Sequence, residues 1–263
     1  LNESRDESNV APKLSVKYEL GDDLLYASYA HGFKAGGYNP LARNASESEF
    51  DQETAVAYEL GYKLIALDGA LTLNTALYHT EFEDMQIQAF IGNGFIVNNA
   101  ARATTAGAEI DLNYQPARGT QIFASWGYSD ARFDSYPDGP CPAGDDRETC
   151  DLSGNRLPRA PKYSASLGFN TAIPLMDGDW ALVLGGDVNW RDHILFDLDG
   201  DPIDAQDEYE LVNLHLGLAD SEGRWRFMVN ARNVADRKVR VFAADLPVFR
   251  GSHMGFLAPP RVV

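Results

Sequence analysis

The chain has 263 residues, 44% of them hydrophobic, which is enough for one large domain or two ordinary ones. Its formal net charge of -17, from 22 Lys and Arg against 39 Asp and Glu, argues against binding to nucleic acid, whose phosphates require clustered cations. The longest stretch without a charge, residues 85–101, is broken by Gln86, Gln88, Asn93, Asn98 and Asn99, so it excludes a membrane-spanning helix but says nothing against strands that show lipid only at every second residue.

In chain order, the opening LNESRDESNV has neither a basic n-region nor an apolar core, so it carries no export signal. A period of two then begins: Leu14, Val16, Tyr18 and Leu20 share one face, against Lys13, Ser15, Lys17 and Glu19. The same alternation runs through Val56 to Leu64, Leu71 to Leu77, Ala108 to Tyr114, Tyr163 to Phe169, Trp180 to Trp190, Val212 to Leu218 and Trp225 to Val229. Ten strands are expected, with the beginning of another at Pro260 to Val263. Tight turns at Gly21, Leu67, Pro116 and Asp220 alternate with long polar connections, approximately 34–52, 85–104, 132–160, 191–207 and 235–258. Short and long connections therefore lie at opposite ends of the strands, as in outer-membrane barrels with tight periplasmic turns and long external loops.

Tyr18, Tyr62, Tyr114, Trp126, Tyr128, Tyr163, Trp180 and Trp190 gather toward strand ends, where an aromatic belt meets lipid headgroups. In a soluble all-β domain they would instead fill a core. The recurrence of Lys, Glu, Asp, Asn and Arg on the opposite face favours a polar lumen. The expected fold is an all-β transmembrane antiparallel barrel.

Cys141 and Cys150 lie in a Pro-, Gly- and Asp-rich segment and read as a disulfide across the tip of an external loop in an oxidising compartment. Five histidines, with no paired spacing and no nucleophile elbow, give no ground for an enzyme or a zinc site. The segment FDLDGDPIDAQDE is the most acidic. It sets Asp197, Asp199 and Asp201 at positions 1, 3 and 5 of a calcium-type loop, with Glu208 at position 12. Pro202 stands where that loop needs glycine and no helices flank it, so a solvated acidic loop is expected, with those four residues the one candidate cation set. Gly32, Gly36 and Gly37 suit backbone angles closed to other residues as a strand leaves the sheet.

APKLSVKYELGDDLLYASYAHGFKAGGYNP, residues 11–40, resembles the TonB-dependent outer-membrane receptor family. Its family motif here is Gly32, Phe33, Lys34, Gly36, Gly37 and Asn39. ETAVAYELGYK, AGAEIDLNYQP, GNRLPRAPKYSASLGFN, RFMVNARNVADRKV and the final APPRVV follow in family order. The resemblance implies that residues 1–263 are the C-terminal part of a barrel of about 22 strands, without plug, export signal or transducer-contacting segment. It also implies active import of a scarce bulky nutrient across the Gram-negative outer membrane, first among them a ferric siderophore, driven by a TonB-type transducer that acts through the plug. A passive porin is the alternative. The lipid bilayer is the other expected partner, and no cofactor is expected. Ten strands from a wider barrel would leave two open edges, so the segment alone is expected to aggregate.

Overall fold

The computed structural model describes residues 4–91, 94–142, 144–147, 149–246, 249 and 251–263. In chain order the strands are β1 (Lys13–Leu20), β2 (Asp23–Lys34), β3 (Gly37–Tyr38), β4 (Glu49–Phe50), β5 (Glu53–Ala66), β6 (Leu71–Ile91), β7 (Gly94–Ala117) and β8 (Thr120–Ser135). They continue as β9 (Tyr163–Leu175), β10 (Trp180–Arg191), β11 (Ile194–Leu195), β12 (Ala205–Gln206), β13 (Tyr209–Asp220), β14 (Arg226–Ala231), β15 (Arg240–Asp245) and β16 (His253–Leu257). Ten of them form one antiparallel sheet in the order β1-β2-β5-β6-β7-β8-β9-β10-β13-β14. The pairs β3–β4, β11–β12 and β15–β16 stand apart from it, inserted at the end of the sheet where the long connections lie.

Register follows the alternation. Leu60 faces Leu77 across β5 and β6, and Leu216 faces both Leu184 and Val229. Leu60, Leu77, Leu167, Leu216 and Val229 are all exposed, a continuous apolar surface that water would penalise and hydrocarbon solvates. The other face is polar and hydrogen-bonded across strands. Tyr26 donates to Glu59 over 2.5 Å, the hydroxyls of Ser125 and Ser166 lie 2.7 Å apart, and Asp187 accepts from both Asn189 and Asn213.

Two expected loops differ in the structure. Residues 85–104 are paired almost throughout, as the outer halves of β6 and β7. A bulge between Phe82 and Gln86, with Asp84 at φ 53°, shifts the alternation by a step, so the outer segment reads as irregular although its ladder continues. Within 235–258, β15 and β16 form a further hairpin, Asp245 opposite His253.

The sheet is not closed, and β1 and β14 are its edges. Just past β14, Arg232 exchanges backbone hydrogen bonds with Val262 at 2.8 and 3.1 Å, so pairing continues on the outer side of β14 where the eleventh strand is expected. Unpaired amides at a hydrocarbon-facing edge cost several kcal/mol each. The isolated chain is therefore expected to form large oligomers in detergent by light scattering, and a monodisperse, heat-modifiable barrel would contradict this.

Candidate ligand vestibule

Beyond the long-connection end of the sheet, the loops carry a core of their own. Ile87, Ala101 and Ala103 of the β6–β7 hairpin pack against Phe133, Tyr136, Cys150 and Leu152. Cys141 and Cys150 are joined by a disulfide, and Cys150 exchanges two backbone bonds of 2.9 Å with Gly139. The bridge thus sits within packed structure and not at a free loop tip; Ala143 and Glu148 of that loop lie outside the described residues. Burial pushes the Tyr136 hydroxyl up to about 12. Phe133, 1% exposed, packs against Tyr136 with the ring centres 5.1 Å apart and the planes tilted by 55°. Phe133→Ala is expected to cost about 3–5 kcal/mol of local stability, measured as faster protease cleavage within 136–157.

The glycine-rich motif serves the same assembly. None of Gly32, Gly36 and Gly37 has a positive φ. Gly36 is required by close approach, since a Cβ there would lie 2.4 Å from the Phe50 carbonyl oxygen, whereas one on Gly37 would lie 2.7 Å from the end of the Phe50 ring, which could shift to admit it. Gly32 has open space at its Cβ position, while Phe33 and Lys34 end β2 exposed. Arg5 braces this corner by donating to Glu49, Asp51 and the Phe50 carbonyl.

Asn39, 3% exposed, carries the motif's strongest link. Its carboxamide accepts from Val97 N at 2.9 Å, donates to Val97 O at 2.8 Å and donates to Glu47 O at 2.8 Å. Asn99 mirrors the arrangement, accepting from Asp51 N at 2.6 Å and donating to Asp51 O at 2.8 Å. Gln86 donates to the carbonyls of Ala35 and Asp51, both at 2.9 Å. Gln86 and Asn99, two of the polar residues that interrupt the apolar run, are thus side chains by which the tall hairpin holds the motif loop. Asn39→Ala removes three hydrogen bonds and strands buried polar groups, at an expected cost of about 1–3 kcal/mol. Limited proteolysis should show residues 35–52 cleaved sooner.

The acidic loop folds differently from a calcium-type loop. Pairing of Ile194 with Gln206 and Leu195 with Ala205 draws the chain back on itself, leaving Glu208 exposed and Asp197 bonded to the adjacent Leu198 N. Asp199 and Asp201 are buried, and they join Asp204, Asp245 and His253, three residues that sequence spacing did not connect. His253 Nδ1 lies 3.0 Å from Asp204 Oδ2 and 2.9 Å from Asp245 Oδ1. Burial and the neighbouring Asp199 carboxylate push Asp245 up to about 7, burial raises Asp199, and the hydrogen bond to Asp204 raises His253.

Asp199 and Asp245 also line a cavity of about 720 Å³ between these loops. Its other walls include Phe95, Phe196, Phe242, Phe249, Met254 and Arg159, whose guanidinium lies 5.5 Å from the Phe242 ring centre. The volume falls within the range of small-molecule sites, and the described walls combine aromatic rings and Arg159 with the carboxylates of Asp197, Asp199 and Asp245, a lining that suits a bulky, partly aromatic guest.

Lipid-facing strands, a polar inner face and an external vestibule define a wall of an outer-membrane receptor barrel. The chain belongs to the TonB-dependent receptor-like β-barrel family, whose model matches residues 1–234. It is 29% identical over 239 residues to the pesticin receptor of Yersinia pestis, covering 90% of this chain and 33% of that protein. It is also 29% identical to the ferric-pyoverdine BN7/BN8 receptor of Pseudomonas putida, covering 89% of this chain and 26% of that receptor. Among solved structures it is similar to the ferric yersiniabactin uptake receptor FyuA from Yersinia pestis, with a TM-score of 0.76 and 25% identity over 95% of this chain and 35% of that one. The chain spans about a third of the length of the curated relatives it matches first. These relatives are receptors, and the family places the chain in the outer membrane of a Gram-negative bacterium.

Proposed function

We propose that this chain forms part of the wall and the external vestibule of a receptor that imports a ferric siderophore, powered by a TonB-type transducer acting through a plug in the lumen. The carrying observation is the aromatic cavity with Arg159 at its side, set in a sheet whose relatives are named for ferric siderophores. The ten-stranded sheet is the C-terminal portion of a barrel of about 22 strands, and further strands complete its open edges. Direct recognition comes from the loops and the plug apex. A porin needs no walled external cavity, whereas a receptor that must hold a dilute ligand before transport does.

Uptake of radioactive iron as a ferric siderophore should require both this receptor and the transducer. Arg159→Ala, with Phe242→Ala as a second variant, should raise the half-saturating ligand concentration about tenfold, equivalent to about 1.4 kcal/mol. Passage of small solutes that is independent of the transducer and unaffected by either variant would overturn the reading.

A further inference from the structure

Four carboxylates and an imidazole meet on the vestibule wall from three separate stretches of chain: Asp199, Asp201 and Asp204 from the loop before β12, Asp245 from the end of β15, and His253 from the start of β16. Asp201, Asp245 and His253 each present a ligand atom within 4.8 Å of the other two. Asp199, Asp201 and Asp204 are 8%, 7% and 1% exposed, so three of the charges are removed from water. Burying carboxylates without a counter-charge is among the most expensive arrangements a fold can hold.

No Lys or Arg forms an ion pair with any of the four among the described residues. Arg240, which reaches the same loop, directs Nη1 to the carbonyls of Ile203 and Ala205 at 2.6 and 2.9 Å. Backbone amides satisfy only part of the set, Asp201 N donating to Asp199 and Ile203 N donating to Asp201. His253 Nδ1 carries at most one hydrogen and faces two carboxylates, so it satisfies one of them. Asp204 Oδ1 and Asp245 Oδ1 are left buried with no hydrogen-bond donor, and these two carboxyl groups lie within hydrogen-bonding reach of each other. Acceptor facing acceptor in a protein interior calls for a shared proton or a bound cation between the two.

We propose that this cluster is a divalent cation site, with Asp201, Asp245 and His253 as ligands and Asp204 and Asp199 completing or orienting the shell. A nitrogen among oxygen donors selects a first-row transition ion, Mn2+ or Zn2+, over Ca2+, which takes oxygen ligands. Such an ion would clamp the loop before β12 to the β15–β16 hairpin and set one wall of the vestibule. The site stands independently of the transport reading.

The test uses receptor purified intact from outer membranes, stripped with a chelator and dialysed against Mn2+, Zn2+ or Ca2+ alone. One retained Mn2+ or Zn2+ per chain at micromolar concentration is expected, with protease cleavage in 191–209 and 235–258 slowed tenfold or more and no response to Ca2+ at that level. His253→Gln should weaken retention at least tenfold. Asp245→Asn should abolish it while making the chelated protein more resistant than the wild type, because one uncompensated charge is gone; a merely structural carboxylate would give lower resistance. No ion retained by the wild type, retention unchanged in both variants, or Ca2+ bound as tightly and indifferently to His253→Gln would overturn the proposal. The wild-type arm alone decides the case if neither variant folds.

Discussion

In hydrocarbon no water can take the place of a missing hydrogen bond, so every backbone amide within the membrane must find its partner inside the protein. The ten-stranded sheet answers this by an uninterrupted antiparallel ladder, each strand paired with its neighbour in sequence across the inserted loops. Once that ladder is imposed, pleating fixes the rest: Leu60, Leu77 and Leu216 turn outward, while Glu59, Ser125 and Asp187 turn inward, where cross-strand hydrogen bonds hold them. The apolar surface that would be a core in a soluble protein is here the solvent-facing side.

Outside the membrane the constraint relaxes, and the structure changes character. With the sheet's apolar residues committed to lipid, the external loops make small cores of their own, one around Phe133 and the Cys141–Cys150 bridge and one around Ile194, Phe196 and Ala243. Between these two cores opens the cavity. The vestibule is a consequence of the loops packing pairwise, each bracing its neighbour, and it follows that mutations far from the guest can reshape its walls.

The membrane portion was legible in the sequence because lipid enforces alternation without exception. Strand count, the outward residues and the rhythm of turns all followed from a period of two. The external portion was not, for two physical reasons. The bulge at 82–86 steps the phase of the outer β6–β7 ladder, and its Gln86 and Asn99 carry backbone-bonding work that composition presents as loop polarity. The acidic cluster brings Asp204 to His253 across 49 positions, a distance that only the antiparallel hairpin bridges. Asp199 and Asp201 stand at a calcium-type spacing that the fold does not use, and the family motif marks Asn39 without showing what it holds.

That asparagine has one more implication. Pairing between β7 and β8 begins only at Arg102, so among the described residues the stretch from Gly94 to Ala101 is paired with β6 on one side and with no strand on the other. At Val97 the Asn39 carboxamide supplies both the acceptor and the donor that a neighbouring strand would offer. A hairpin projecting from a crowded cell surface with bare ladder positions is a template onto which any extended segment could add. With Asn39 bonded to both backbone groups of Val97, that ladder position is no longer bare, and the motif loop covers the hairpin edge there as well as shaping the corner it occupies.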